Sequence, residues 1–428
     1  MTVVTDQLLH ELEAIYRSAA SNKAFQQRAW QAFADAPFPT KKVAAFRYLP
    51  LKKLKETTFE LSRAETVPES VIAPSVLAES KDAYCVFING RFCPKLSKIP
   101  AEVVALPLAE ARHSYGSFLD KQEAMRLDQE DNPFAHLNTA LSSEGLFLYF
   151  APETTLLTPL QLLFVETATT GLILPRIEVC MGKKSRATLV AQTISPEKTA
   201  HWTNAALYLA VEERAVVSFL EEHAEPATGW RFSAVRATLK RESHFSYFAC
   251  SRGSKPVLYR DLSVRLIGER ATAAVKGIEL VSQKDEAHSQ VSMYHEAPNT
   301  DSDQQIKAIA ADRARVGFAG KIFVAQKAQQ TDAYQLNHNL ILDEHAVAYS
   351  QPNLEVFADD VKASHGATCS RPSVDEQFYL RTRGISRSVS EQLLVRAFCR
   401  DLLDAVPVQS LRKRCEKAVD YWLDQRKR

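Results

Sequence analysis

The sequence contains no apolar run approaching the roughly 18 residues that a membrane-spanning helix needs, so a helical span is excluded. The N-terminal stretch MTVVTDQLLHELEAIYRSAA has neither the basic start nor the unbroken apolar centre of a secretion signal. Leu8, Leu9, Leu12, Ile15 and Tyr16 instead share one face of an amphipathic helix. The seven cysteines, at positions 85, 93, 180, 250, 369, 399 and 415, include no C-x-x-C pair, and their number is odd. That pattern predicts reduced thiols in a cytoplasmic protein and excludes a zinc site built on closely paired ligands. An excess of one charge is also lacking: 53 Lys and Arg stand against 51 Asp and Glu, which argues against a dedicated nucleic-acid binder. Gly320-Lys321 does not make a phosphate-binding loop, because too few residues separate Gly317 from Gly320 and Ile322 replaces the required hydroxyl.

Short strands dominate what remains. From Leu146 to about Val361, segments such as FLYF, PLQLLFV, RIEVCM, ALYLAV, HFSYFAC, DLSVRLIG, SQVSMY and NHNLILD follow one another with no helix-period segment between them. So long a series exceeds one ordinary sandwich and suits a β-solenoid. Two sandwiches or a propeller are the rivals, though no blade repeat is visible. The predicted division is an N-terminal helical and mixed α/β domain at 1–145, a β core at 146–370 and a C-terminal helical domain at 371–428. In the first, AFQQRAWQAFADA is a helix broken by PFPT. Asn89-Gly90 is a hairpin turn, and NPFAHLNTALSSEG is a helix closed by Gly145. In the last, Ser388 to Glu391 is a capping box opening a helix with Val389, Leu393, Ala397, Phe398, Leu402 and Leu403 on one side. After Pro407, Leu411, Cys415, Ala418, Val419, Trp422 and Leu423 line a further amphipathic helix. These helices would cap the solenoid or offer a docking surface.

The junction between core and tail, PNLEVFADDVKASHGATCSRPSVDEQFYLRTRGI from Pro352 to Ile385, carries most of the candidate chemistry. LEVFADDV reads as a strand that SHGAT ends. Pro372 delays the helix, Ser373 to Glu376 form a capping box, and Gly384 takes the left-handed position that closes the helix. Asp359 and Asp360 invite comparison with the paired acids of sugar chemistry, but adjacent strand residues point to opposite faces. His365 is either a metal ligand or a satisfied structural histidine, and Cys369 could join it. His288, His295 and His338 read as surface or turn histidines. Phe378, Tyr379 and Leu380, flanked by Arg381, Arg383 and Arg387, are either core or a partner anchor.

The segments ADDVKASHGAT (358–368), FYLRTRGI (378–385) and AQQTDAYQLNHNLIL (328–342), followed by PNLEV, resemble the SufB/SufD family of the SUF iron–sulfur cluster assembly system. ADDVK ahead of SHGAT is similar to the SufD members rather than to SufB. Weaker likenesses run through SDQQIK, Arg260-Asp261-Leu262 with Gly268, HLNTAL (136–141) and INGRF (88–92), so nearly the whole chain is covered. The resemblance implies a mainly β fold, a right-handed parallel β-helix between helical domains. It implies a non-catalytic scaffold that pairs with SufB through the β-helix and binds the SufC ATPase through the C-terminal helices. No cofactor is held permanently; a nascent cluster or iron is carried at the SufB interface. By the same resemblance His365 is the ligand shared with SufB, and Phe378, Tyr379, Leu380, Arg383, Gly384 and Ile385 belong to the ATPase contact. Ala363 stands where some relatives carry a cysteine, which removes a Cys–His pair from that strand. A β-helix polysaccharide lyase or hydrolase, and a self-associating homodimer without a metal role, are the alternatives.

Overall fold

The strands wind into one coil. The structure is a computed structural model describing residues 7–18, 23–39, 43, 46–142, 144–168, 170–195, 201–223, 228–253 and 255–426. Met1 to Asp6, the start of the expected first helix, and Thr40 of the PFPT break lie outside the described residues. From Arg176–Met181 to Val361–Ser370, strands enter two parallel sheets in alternation. Consecutive strands therefore face each other across a lumen, and ladder neighbours lie one turn of chain apart. Side chains bonded between adjacent turns, such as His244 with Thr272 and Gln304 with Gln335, are 28 and 31 residues apart. The molecule is a parallel β-solenoid of about seven turns with helices at both ends of the chain, and neither sandwich nor propeller describes it.

One set of corners repeats a backbone device. Lys184, Arg214, Glu242, Arg270, Asn299 and Gln330 all have φ between 55° and 60°. Each donates its N–H to a carbonyl in the next corner along the axis: Glu213, Arg241, Glu269, Pro298, Gln329 and Asp360 in turn. The next residue is small and buried every time: Ser185, Ala215, Ser243, Ala271, Thr300 and Thr331. A left-handed non-glycine residue costs on the order of 1 kcal/mol, and here a hydrogen bond to the neighbouring turn offsets it. Asn89 and Gly90, at φ 48° and 83°, form the expected hairpin turn between Tyr84–Ile88 and Arg91–Phe92.

The lumen is mostly apolar, with Val179, Leu207, Val235, Leu262 and Val291 facing Leu189, Val217, Phe245 and Val275. Two ionic clusters interrupt it. Glu166 accepts hydrogen bonds from Arg231, from His201 Nε2 at 2.9 Å and from Thr203 Oγ1 at 2.9 Å. Arg260 sits between Glu221 and Glu279 and donates to Ser251 Oγ at 2.6 Å.

Helices cover the outer face of each sheet. On the first sheet lie α1 (Gln7–Ser18), α2 (Ala24–Asp35) and α3 (Leu51–Lys55); α4 (Glu69–Ile72) packs through Ile72 on the second sheet, and α5 (Leu108–Leu127) and α6 (Pro133–Leu141) complete the N-terminal set. Leu8, Leu12, Phe33, Phe46 and Phe134 pack with Trp202, Trp230, Phe232 and Tyr259 of the strands. The Asn132 side chain caps α6 by accepting from Phe134 N at 2.9 Å. The helix ends at Leu141, not at Gly145; Gly145 precedes the next strand where a Cβ would come within 2.6 Å of the Arg176 carbonyl. The sequence reading missed α5: Leu108, Ala111 and Leu119 pack on Phe147 and Cys180, but the helix is interrupted at Tyr115, and beyond it Glu123 and Arg126, with Arg112, join Arg176 and Glu178.

The C-terminal helices are α7 (Val374–Thr382), α8 (Arg387–Asp404) and α9 (Gln409–Gln425). Contrary to the expected cap, α8 and α9 lie along the flank. Val395, Cys399, Leu402, Leu411, Cys415 and Trp422 pack on Val190, Leu220, Phe248, Ile278 and Ile309 of the second sheet. The expected face of α9 is the buried one. The face of α8 is as expected at Leu402 and Leu403, which are buried, but not at Val389 and Leu393, which are exposed while Val395 and Cys399 are buried. Its cap is Ser386, which accepts from Val389 N, and not Ser388. Polar ties fix the pair, from Lys307 to Asp401 (2.7 Å) and to the Phe398 carbonyl (2.8 Å), and from Arg414 to Glu222 (3.2 Å).

Burial opposes the charge on Glu166, but Arg231 and His201 outweigh it and hold the carboxyl well below the usual carboxylate range. The unfolded chain therefore binds that proton at higher pH than the folded one. The stabilisation is present above about pH 4.3 and is lost as pH falls below it. Glu166→Gln is expected to cost about 3 kcal/mol at neutral pH, because it leaves Arg231 buried without its counter-charge. It is also expected to flatten the loss of stability on acidification. Urea unfolding of parent and variant at several pH values checks both.

Candidate functional site

The solenoid ends without a lid. Val347–Val356 closes one sheet and Val361–Ser370 the other, and no strand of the described residues pairs beyond either. Along their outer edges backbone N–H and C=O groups face away from the sheet unpaired, the arrangement that templates another strand. Exposed apolar side chains surround this end: Tyr334 (46%), Leu336 (38%), Val356 (38%) and Phe357 (61%). Phe357 continues an aromatic row, its ring 5.5 Å from that of Phe323, which lies 5.9 Å from Tyr294.

His365 stands in the middle of the last strand and is exposed. SHGAT is therefore not the end of a strand but its centre. The chain turns earlier, at Phe357 to Asp360. Asp359 and Asp360 are exposed in that corner and share no pocket; Asp360 N donates to Gln329 Oε1 at 3.0 Å. In the ladder His365 pairs with Gln335, and Cys369 with Asn339. Cys369 is exposed, and its sulfur lies 3.7 Å from Asn339 Nδ2. At about 3.3 Å per residue, four strand positions put roughly 13 Å between the Cα atoms of His365 and Cys369. The strand therefore does not bring the two together, which corrects the idea that Cys369 joins His365. Ala363, the same-face neighbour on the other side, carries no ligand atom. Among the described residues no group of three or more His, Cys, Asp or Glu side chains is placed to hold a metal ion.

The remaining histidines are better satisfied than the sequence suggested. His295 is fully buried, with Nδ1 2.8 Å from Thr300 Oγ1 and Nε2 2.9 Å from Ser302 Oγ, and burial pushes its pKa down to about 4. His288 is also buried, 3.2 Å from Glu286. Neither is the surface or turn histidine expected. His338 is half-buried; burial and then Lys307 lower its pKa.

The second candidate surface is α7. The Ser373 hydroxyl accepts from Glu376 N at 3.3 Å, capping its start. At its end Ile385 N donates to the Leu380 carbonyl (3.2 Å) and Gly384 N to Arg381 (3.0 Å), with Gly384 at φ 79°. This is a glycine-closed helix end of the Schellman type. The helix buries no residue: Val374 is 79% exposed, Phe378 65% and Tyr379 58%. Phe378 and Tyr379 are thus not core. Leu380 and Ile385 are half-buried and Gly384 is exposed. Arg383 lies over the Tyr379 ring at 5.3 Å.

The sequence reading missed the residues under the open end: Gln335, Asn337 and Asn339 on the penultimate turn, all buried. A signal was available. Ladder partners recur about 30 positions apart, and that offset lines up Gln304, Gln335 and His365.

Comparison with known proteins accords with this architecture. Residues 164–398 match the family described as SUF system FeS cluster assembly, SufBD core domain, and residues 7–162 match the SufBD protein N-terminal region. The chain is 26% identical over 400 residues to an iron–sulfur cluster assembly SufBD family protein of Synechocystis, covering 89% of this chain and 86% of the relative. It is 26% identical over 410 residues to the iron–sulfur cluster assembly protein SufD of Escherichia coli, covering 95% and 93%. A SufBD family protein of Staphylococcus haemolyticus is 26% identical over 312 residues, covering 68% and 66%. The chain belongs to the SufBD family of iron–sulfur cluster assembly proteins.

Proposed function

We propose that this chain is a non-catalytic, cytoplasmic scaffold of the SUF machinery that pairs with SufB across the open end of its solenoid and binds the SufC ATPase through α7. The observation that carries the reading is the bare last turn, where two strand edges stand unpaired with His365 exposed on one of them. An edge of this kind accepts a further strand through backbone hydrogen bonds, and its apolar rim supplies the area to bury. The apolar face of α7, with Arg381, Arg383 and Arg387 beside it, has the residue types of a protein-binding hot spot. The absence of a phosphate-binding loop accords with ATP being handled by a partner.

Iron or a nascent cluster is cargo in this reading, not a resident cofactor. His365 offers one imidazole nitrogen to it, and SufB completes the ligand set. An imidazole on an edge strand suits iron, and it binds only as the neutral base.

Co-expression with cognate SufB and SufC, followed by native mass measurement, tests the assembly. One copy of this chain with SufB and SufC is expected; a chain that stays alone or pairs only with itself overturns the heteromeric reading. In the purified complex, His365→Ala is expected to leave assembly intact and to lower iron and sulfide content on the order of tenfold. Unchanged iron and sulfide removes the ligand role. Tyr379→Asp is expected to weaken SufC binding about tenfold, through loss of an aromatic anchor. Its thermal midpoint is expected to stay within a degree or two of the parent, since Tyr379 is exposed. Calorimetric titration and a melting curve separate the two effects.

A further inference from the structure

A short ladder of amides runs along the lumen toward the open end and stops one turn short of it. Gln304 and Gln335 are lateral neighbours in the second sheet, and the next residue in the same row is His365. Both glutamines are fully buried. Gln335 Nε2 donates to Gln304 Oε1 at 2.9 Å. Gln335 Oε1 is buried with no hydrogen-bond partner. Buried polar groups are nearly always bonded, so a free acceptor here is informative. A specific vacancy on the facing sheet makes room for it: a Cβ on Gly320 would lie within 2.3 Å of the Gln335 amide.

The amide is planar. With its nitrogen turned to the turn below, its oxygen is left for the turn above, and that turn contributes His365 to the row. If both amides are turned, Gln304 Nε2, itself without a partner as assigned, donates to Gln335 Oε1, and the nitrogen end of Gln335 is the free one. Same-face neighbours in a parallel ladder lie about 4.8 Å apart, within reach of an imidazole turning about its side-chain torsions.

We propose that Gln335 is the positioning residue for His365: the free end of its amide pairs with one imidazole nitrogen, selects a single tautomer, and leaves the other nitrogen facing out of the open end. Histidines that present one nitrogen to a metal are characteristically held at the other by a carbonyl or carboxylate. Asn339 cannot serve in this way, because its partner in the ladder is Cys369, four positions along the strand from His365. The inference rests on the reading of His365 as the outward-facing ligand, yet its test involves neither metal nor partner and so fails or succeeds separately from that reading.

The test is the tautomer of His365 in the isolated full chain, labelled with nitrogen-15 histidine. Long-range ring proton–nitrogen correlations are recorded at about pH 8, where a free imidazole is neutral. His365→Ala assigns the signal. One tautomer is expected to exceed the other by about fivefold or more, the preference one hydrogen bond can impose. Gln335→Met, similar in volume but without the amide, is expected to bring the two tautomers close to the mixture of an exposed histidine. Gln335→Glu, which keeps an acceptor, is expected to restore the single form. A mixture in the parent, or a single tautomer that persists in Gln335→Met, overturns the proposal. Should Gln335→Met not fold, Gln335→Leu is read instead, which likewise lacks the amide.

Discussion

The fold depends on a repeat of hydrogen bonds taken one turn apart. From Arg176–Met181 onward, each strand finds its partners about 30 residues away and not in the next strand along the chain. Turn length varies, from 28 residues between His244 and Thr272 to 31 between Gln304 and Gln335, so some corners absorb the difference while one set must hold the register. The left-handed residues at Lys184, Arg214, Glu242, Arg270, Asn299 and Gln330 do this. Each spends an unfavourable conformation to aim its N–H at the corner above. The small buried residue that follows lets the chain turn back into the lumen without a clash. Such a coil has no internal reason to stop. Its last turn presents an unsatisfied edge wherever it ends, and this chain ends with that edge uncovered.

The helices answer a different need. A sheet with one face to the lumen has its other face to water, and both outer faces here are strongly apolar along much of their length. Trp202, Trp230 and Phe232 require the N-terminal helices, while Leu220, Phe248 and Ile309 require α8 and α9. Charged groups buried at these seams, such as Arg236 between Glu130 and Asp261, are paired on both sides, and so they fix where each helix lies. α7 has no such duty. It buries nothing, and only the geometry of its two caps and its packing on α8 explain why it persists as a helix.

What was legible in the sequence followed from side-chain period and turn chemistry. Alternation marked the strands, Asn89-Gly90 marked the hairpin, and the apolar face of α9 was read correctly from Leu411 to Leu423. What was not legible came from interactions between distant segments. The inner side of the second half of α5 was hidden because Glu123 and Arg126 meet Arg176 and Glu178, residues about 50 positions away. α8 starts two residues ahead of the expected cap, at Ser386 rather than Ser388. The last corner was misplaced because LEVFADDV alternates straight through it. Its true position is set by Gln329 and Gln330, which bond Asp360 from the preceding turn. His365 stood out by its setting among small residues. The burial of Gln335 beneath it could be seen only once the register was known.

Strand geometry also limits what this end of the molecule can hold by itself. Neighbours of His365 on the same side of its strand are Ala363 and Ala367, each about 6.6 Å away along the chain, and neither has a ligand atom. Laterally the row gives Gln335, whose amide oxygen is a weak donor to a soft metal. Cys369 is too distant to share an ion with His365. A single imidazole on a flat edge binds a metal poorly, since affinity comes from several ligands converging on one point. Any iron or cluster gathered at His365 must therefore take most of its ligands from whatever docks on the open edge. A ligand set divided between two chains is assembled when the edges meet and dismantled when they part. A carrier of clusters needs both steps, whereas an enzyme built around a permanent centre would place all its ligands on one chain.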